Sequence, residues 1–289
     1  MRAREYPGSN IVIEKELTAG KNYRRYYVYY LSEGLKIFAL LTIPNGTPPS
    51  GGWPGIVFNH GYIPPEIYKT TERYIAYVDR LASAGYVVFR IDYRGHDRSE
   101  GVARGAYGDP GYTVDVLNAV ASLQKYPLVN PQKIGMWGHS MGGFLTLRAM
   151  VISKAIKVGV IWAGVVASYP EMLYNWRRSS LITPSPSALG VGWRTGWIGL
   201  YGTPEQNPDF WASISANSYL ADLSGPLQLH HGTSDEEVPL DFSVRLAEQV
   251  RAAGKTADLY TYEGDNHNLS GSFTTAMNRT IAFFDQYLK

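Results

Sequence analysis

Cysteine is absent from this 289-residue chain, and three kinds of chemistry are absent with it. Without thiols the chain forms no disulfide bond, no thiolate metal site and no cysteine nucleophile. An excess of charge is missing as well, because 27 basic and 25 acidic residues leave a formal net charge of +2. We therefore expect neither nucleic acid nor an anionic membrane as a partner. A small neutral molecule is the default ligand, and the sequence leaves homo-oligomerisation open.

Long apolar runs and an N-terminal targeting segment are also lacking. The first ten residues, MRAREYPGSN, contain no apolar segment of the kind that signal peptides have. The most apolar stretch, Val158–Val166, is far too short to cross a bilayer. We therefore expect no membrane insertion and a soluble protein that is cytoplasmic by default. A secreted form whose signal has been trimmed would show the same sequence.

Short apolar runs alternate with amphipathic stretches after two strand-like runs at Arg25–Ser32 and Leu35–Ile43. The later runs are nearly continuous in apolar residues, which is typical of strands buried on both faces. They are GIVFNHG, YVVFRIDYRG, KIGMWGHS, VGVIWAG, LQLHHGTSD and DLYTYEGDN. Five stretches carry an apolar stripe that predicts a helix: 72–84, 112–126, 141–153, 240–253 and 273–288. Such alternation predicts a single α/β domain over 1–289, with a mainly parallel sheet and helices on both faces.

One connection is too long for this alternation, since about sixty residues separate Gly164 from Leu227. It contains four of the seven tryptophans: Trp176, Trp193, Trp197 and Trp211. We predict an inserted lid at about 165–215, above the carboxyl ends of the strands, with Trp176 and Trp197 as substrate-binding walls. The alternative is an additional helix pair whose aromatic residues form a small core of their own.

The hexapeptide GHSMGG at 138–143 directly follows a predicted strand and precedes a predicted helix. A serine hydroxyl is a poor nucleophile unless it is held exposed beside a base. A sharp strand-to-helix turn provides this position at the cost of backbone strain, and small residues such as Gly138 and Gly142 fit beside it. The GxSxG pattern also arises by chance, but in this setting it predicts that Ser140 is a catalytic nucleophile.

A general base and an acid are expected later in the chain. Of six histidines only His267 follows the last predicted strand, whereas the others lie near strand ends, where they more often anchor loops. Asp235 lies between Ser140 and His267 in sequence, directly after a predicted strand. It would accept the imidazole N–H and fix the tautomer of the base. Three other acids compete with it, because acids at a helix start also favour the helix dipole: Glu236, Glu237 and Asp241.

An oxyanion hole needs two backbone donors. The N–H of Met141, directly after the nucleophile, is the first candidate, and the N–H of Tyr62 in the loop after GIVFNHG is the second. The alternative for Tyr62 is a plain turn at a strand end. No phosphate-binding loop and no zinc-binding helix motif is present, and Asp92, His96 and Asp97 are expected to form a polar turn rather than a metal site. No metal and no cofactor is predicted.

Together these motifs resemble the prolyl-oligopeptidase and dienelactone-hydrolase branch of the α/β-hydrolases, from about Leu35 to the C-terminus. The resemblance rests on Asn59–Tyr62, Asp92–Gly101, Gly138–Gly143, His231–Pro239 and the late His267. It implies an α/β-hydrolase fold with a mostly parallel, eight-stranded sheet and a Ser–Asp–His triad at its carboxyl edge. One departure is Asp97, which occupies a position that is often glycine in this branch.

The resemblance also bears on the substrate. Peptidases of this branch generally carry a large N-terminal β-propeller, whereas only about fifty residues precede the hydrolase core here. We therefore expect a serine carboxylic-ester hydrolase that acts through an acyl-enzyme on short-acyl or aryl esters. The first alternative is a peptidase or aminoacyl-amide hydrolase of the prolyl-oligopeptidase type. The second, of a different class, is a non-catalytic binding protein with a hydrolase fold.

Overall fold

One sheet of nine strands runs through residues 1–176 and 191–289, which the computed structural model describes. The strands are β1 (Val12–Leu17), β2 (Tyr23–Ser32), β3 (Leu35–Pro44), β4 (Trp53–Asn59), β5 (Val87–Ile91), β6 (Val129–His139), β7 (Ile156–Trp162), β8 (Leu227–Gly232) and β9 (Ala257–Tyr262). Their order is β1-β2-β3-β5-β4-β6-β7-β8-β9. The pairings that join β1, β2, β3 and β5 are antiparallel, and the other five are parallel. The predicted α/β class with a mostly parallel sheet is confirmed.

Strand β1 brings the number of strands to nine, one more than the resemblance implies. It pairs antiparallel with β2 at the edge of the sheet, and five of its six residues are exposed. Its sequence, VIEKEL, is half charged and shows none of the apolar continuity that predicts a buried strand. Charged side chains on an edge strand also discourage pairing with another chain. The two strand-like runs predicted near the N-terminus correspond to β2 and β3.

Helices cover both faces of the sheet. The described helices are α1 (Ile75–Ser83), α2 (Gly111–Gln124), α3 (Met141–Ile152), α4 (Tyr169–Asn175), α5 (Val191–Tyr201), α6 (Pro208–Ile214), a 3₁₀ helix (Ala216–Asp222), α7 (Leu240–Ala252) and α8 (Phe273–Leu288). On one face α2, α3 and α7 pack around Leu117, Leu145 and Leu246, and on the other α1 and α8 pack around Leu81 and Phe284. No helix in 1–176 or 191–289 is long and apolar enough to span a membrane.

The five helices predicted from apolar stripes are α1, α2, α3, α7 and α8. Helix α3 differs from the prediction in one respect, because ten of its twelve residues are buried rather than a single stripe. Both α2 and the 3₁₀ helix pack against it, so it has little solvent-facing surface. Strand β6, which leads into α3, lies between β4 and β7 in the parallel part of the sheet. The loops after these parallel strands therefore meet at one edge.

The long connection between β7 and β8 folds into short helices whose aromatic side chains pack on one another. Trp197 stacks on Tyr169 with ring centroids 5.5 Å apart, and Trp193 lies 5.8 Å from Trp197. The ring of Trp211 lies 6.3 Å from that of Trp197. These contacts are those of packed aromatic residues, as in the alternative, but Trp193 and Trp211 belong to the main core of the domain rather than to a separate small core. The lid over 165–215 stays a prediction, and its Pro/Ser-rich stretch at 183–190 lies outside the described residues.

Candidate active site

Ser140 occupies a sharp turn between β6 and α3, with φ 54° and ψ −117°, a conformation that a non-glycine residue adopts only under strain. Its N–H donates to the carbonyl oxygen of Trp162 at 3.0 Å, and its carbonyl oxygen accepts from the N–H of Val165 at 3.1 Å. Space at the turn is limited, because a Cβ at Gly142 would lie 2.0 Å from the carbonyl oxygen of Asn59. The turn has the form that the GHSMGG motif predicts, at the carboxyl edge of the sheet.

His267 and Asp235, in the loops after β9 and β8, form a hydrogen-bonded pair. Nδ1 of His267 lies 2.8 Å from Oδ2 of Asp235, whose side chain is 1% exposed. Oδ1 of Asp235 accepts from the N–H groups of Glu237 at 2.8 Å and Val238 at 3.0 Å. Burial raises the pKa of Asp235, but hydrogen bonds from His231 and His267 outweigh burial and hold this pKa well below its ordinary range. A charged Asp235 therefore fixes the tautomer of His267 with its proton on Nδ1.

The rival acids make weaker contacts with the base. Oε2 of Glu237 lies 3.9 Å from Nε2 of His267, beyond hydrogen-bonding distance. In the part of the chain that the structure describes, neither Glu236 nor Asp241 is hydrogen-bonded to His267. Of the four acids considered, Asp235 alone has the geometry of a triad acid.

Two further histidines support this pair. His231 was assigned only to loop anchoring by its position at a strand end, yet its Nε2 lies 3.0 Å from Oδ2 of Asp235. His139, directly before Ser140, has Nε2 3.0 Å from the carbonyl oxygen of His267. Burial lowers the pKa of His139 to about 3, so its ring is neutral. The proximity of His231 to the acid motif in HHGTSD was the sequence signal that could have identified it.

The loop after β4 contributes Tyr62 to the site. The N–H of the preceding residue, Gly61, donates to the hydroxyl oxygen of Tyr74 at 2.9 Å, and this hydroxyl lies 2.7 Å from Nδ1 of His139. The Tyr74 hydroxyl thus ties the loop to the serine turn. Met141, the other predicted oxyanion donor, is the first residue of α3, where an N–H has no acceptor within its own helix.

A cavity of about 280 Å³ brings several of these residues together. Tyr62, Ser140 and His267 line it, so the predicted nucleophile, base and one oxyanion residue face the same space. Trp176 and Trp197 are described but do not line it. Trp176 is instead buried with its indole N–H donating to the Glu237 carbonyl oxygen at 2.8 Å. A larger cavity, about 390 Å³, contains none of the predicted site residues.

Within 1–176 and 191–289, no group of three or more metal-ligating side chains has a suitable arrangement for a metal ion. Asp92 instead accepts from the hydroxyls of Tyr68 at 2.7 Å and Thr70 at 2.6 Å. Asp97 accepts from Lys69 at 3.0 Å and from the same Thr70 hydroxyl at 2.9 Å. The contacts of these two aspartates are those of a polar turn.

Comparisons with known proteins bear on the family and the fold of the chain. Residues 73–289 match the prolyl oligopeptidase family. The chain is 26% identical over 263 residues to the uncharacterized peptidase YtmA of Bacillus subtilis, covering 89% of this chain and 92% of that protein. This chain and YtmA are thus similar in length.

Solved structures show the fold. The acylaminoacyl peptidase of Pyrococcus horikoshii superposes with a TM-score of 0.72 at 23% identity, over 93% of this chain and 42% of that one. Est1E from Butyrivibrio proteoclasticus superposes with a TM-score of 0.67 at 20% identity, over 90% of this chain and 98% of that one. A second Est1E structure contains ferulic acid. The α/β-hydrolase fold is therefore shared with peptidases and esterases alike.

Proposed function

Because this chain belongs to the prolyl oligopeptidase family, it is a serine hydrolase, and we propose that it cleaves carboxylic esters with a short acyl or an aryl group. One observation carries the proposal. Nδ1 of His267 lies 2.8 Å from Oδ2 of Asp235, and His267 lines the same cavity as Ser140, whose backbone is strained. A strained backbone persists where the surrounding structure enforces it, and such residues cluster at active sites.

In the proposed mechanism Ser140 attacks the ester carbonyl carbon while Nε2 of His267 accepts its proton. Asp235 stabilises the imidazolium, and the N–H groups of Met141 and Tyr62 bind the oxyanion. The tetrahedral intermediate collapses to an acyl-enzyme as His267 gives its proton to the departing alcohol. Water, deprotonated by the same histidine, then attacks the acyl-enzyme and releases the acid.

Aromatic side chains of the cavity support the aryl class of ester. Tyr62, Tyr74 and Tyr77 line it, and rigid aromatic walls favour flat groups. Est1E, which contains ferulic acid in one structure, supports the same class as a structural neighbour. We further propose a single domain over 1–289 that takes a small-molecule substrate and uses neither a metal nor nucleic acid. The low net charge of +2 supports the last point.

A hydrolysis panel tests the ester proposal. It compares p-nitrophenyl esters of graded acyl length, methyl ferulate and aminoacyl anilides, with kcat/KM as the readout. Short or aryl esters should be cleaved with higher kcat/KM than long-chain esters or anilides. The competing candidate is a peptidase, which the match to YtmA supports. Aminoacyl anilides cleaved at least as fast as matched esters would establish that candidate instead.

A further inference from the structure

Arg73 is the permanently cationic side chain among the described residues that line the Ser140 cavity. In the described part of the chain its guanidinium takes part in no hydrogen bond, ion pair or cation–π contact. Among the described lining residues Glu237 is the acidic one, and its carboxylate lies 3.9 Å from Nε2 of His267. The cavity thus has a negative group beside the base and an unengaged positive group elsewhere on its wall.

The backbone that carries Arg73 is held in an unfavourable conformation. Arg73 and Tyr74 have φ values of 56° and 51°, consecutive non-glycine residues in the left-handed region. Arg90, only 1% exposed, donates to the carbonyl oxygens of Thr70, Glu72 and Arg73 and so fixes this turn from below. These contacts hold the backbone at Arg73, whose side chain is exposed and lines the cavity.

We propose that Arg73 binds a carboxylate on the leaving half of the substrate, an inference that rests on the proposed ester hydrolysis. The leaving group takes its proton from His267, which lines the same cavity as Arg73 together with Asn268. A group attached to the departing alcohol then lies in the cavity that Arg73 lines. The guanidinium presents parallel N–H donors that match the two oxygens of a carboxylate.

The chemistry of the cavity also sets where the carboxylate lies in the substrate. The aromatic lining of the cavity favours a flat spacer between the scissile oxygen and the carboxylate. A benzene ring provides such a spacer. The rings of Tyr74 and Tyr77, 5.3 Å apart, line the cavity and offer aromatic surface to it. The substrate class is thus an ester of a carboxyphenol.

A matched pair of substrates isolates the carboxylate. The ratio of kcat/KM for 4-acetoxybenzoate to that for 4-acetoxybenzamide is measured in the native enzyme and in Arg73→Gln, Arg73→Lys and Arg24→Gln. Arg24 is an exposed arginine of β2 outside the cavity lining and controls for net charge. The ratio should fall at least about tenfold in Arg73→Gln, less in Arg73→Lys because an ammonium is a point charge, and stay constant in Arg24→Gln. An equal ratio in the native enzyme and Arg73→Gln would overturn the proposal.

A binding measurement separates this proposal from the ester function. The dissociation constant of 4-hydroxybenzoate, determined by titration calorimetry, should rise at least about tenfold in Arg73→Gln. The dissociation constant of 4-hydroxybenzamide, which carries no charge, should stay the same in both proteins. If no ester is hydrolysed but this difference is present, the ester function fails and the role of Arg73 stands. If 4-hydroxybenzoate binds both proteins equally, the role of Arg73 is refuted whatever the enzyme hydrolyses.

Discussion

Nε2 of His231 lies 3.0 Å from Oδ2 of Asp235, the same oxygen that faces Nδ1 of His267 at 2.8 Å. The ring of His231 is fully buried, and its Nε2 also faces the carbonyl oxygen of Val238 at 3.0 Å. Since both neighbours of this nitrogen are acceptors, it carries a proton. Its Nδ1 lies 2.8 Å from Oγ of Ser243 on α7. One carboxylate oxygen of Asp235 is thus held by two imidazole N–H groups.

Replacing His231 by leucine should weaken catalysis and loosen the hold on the carboxylate of Asp235. Without this donor, Oδ2 of Asp235 accepts a hydrogen bond from His267 alone. Loss of one charge-assisted hydrogen bond should also lower kcat about 10- to 100-fold through poorer alignment.

The readout is kcat for ester hydrolysis, measured on variants whose folding has been checked by urea unfolding. His231→Gln, which retains an N–H donor, should lie between the native enzyme and His231→Leu, and Ser243→Ala should have a smaller effect. A folded His231→Leu variant with the native kcat would exclude this role.

The two predicted wall tryptophans should behave differently. Trp197 packs within the aromatic core of the insertion, so Trp197→Ala should lower the free energy of unfolding by about 2–4 kcal/mol without changing the ranking of esters. Trp176 donates to the loop that carries Asp235 and contacts the ring of Tyr107 at 5.3 Å. Trp176→Ala should therefore lower kcat for all esters alike, because it displaces the loop that carries Asp235, and it should leave their ranking unchanged. Urea unfolding and the ester panel measure both effects. If Trp197→Ala changes the ranking of esters, Trp197 contacts the substrate, as the sequence predicted.

Asp92 should make the protein less stable as pH rises from about 4 to 7. Burial raises its pKa to about 7 from an ordinary value of 3.8, although hydrogen bonds from Thr70 and Tyr68 oppose this. Between these two values the unfolded chain releases the proton and the folded protein retains it, so ionisation favours unfolding until the folded group also ionises. Urea unfolding at about pH 5 and pH 7 should show a loss on the order of a few kcal/mol.

Asp92→Asn should remove most of this pH dependence, because an amide does not ionise. Asp97, which accepts from the same Thr70 hydroxyl, is the matched control, since hydrogen bonds from Lys69 and Thr70 outweigh burial and lower its pKa. Asp97→Asn should leave the difference between pH 5 and pH 7 in place. If Asp92→Asn loses as much stability over this range as the native protein, Asp92 is not the group responsible.

The motifs at the carboxyl edge could be read from the sequence because each is local. The turn at Ser140 needs only a strand, small neighbours and a helix in succession, and all three appear within a few residues. His267 and Asp235 were selected by chain order relative to predicted strands, which fixes the sheet edge where they meet. The hydrogen bond between them was then found at 2.8 Å.

Other features depend on contacts between distant segments. Strand β1 is exposed, so its sequence has no apolar pattern from which a buried strand could be predicted. Helix α3 is buried on all sides because α2 and the 3₁₀ helix pack against it. The position of Arg73 at the cavity could not be predicted from the sequence, because the turn there depends on hydrogen bonds from a buried arginine, Arg90. Whether Trp197 faces substrate or neighbouring rings is likewise a question of packing within the insertion.

The central claim is that Ser140 is the nucleophile, and covalent labelling tests it most directly. The protein is treated with a small fluorophosphonate and the modified residue is located by peptide mass spectrometry, with Ser140→Ala as the matched variant. We expect one adduct, on Ser140, and no labelling of Ser140→Ala, whose kcat for esters should be lower by several orders of magnitude. An adduct on a different residue, or a folded Ser140→Ala variant that retains most of its hydrolysis, would contradict the account.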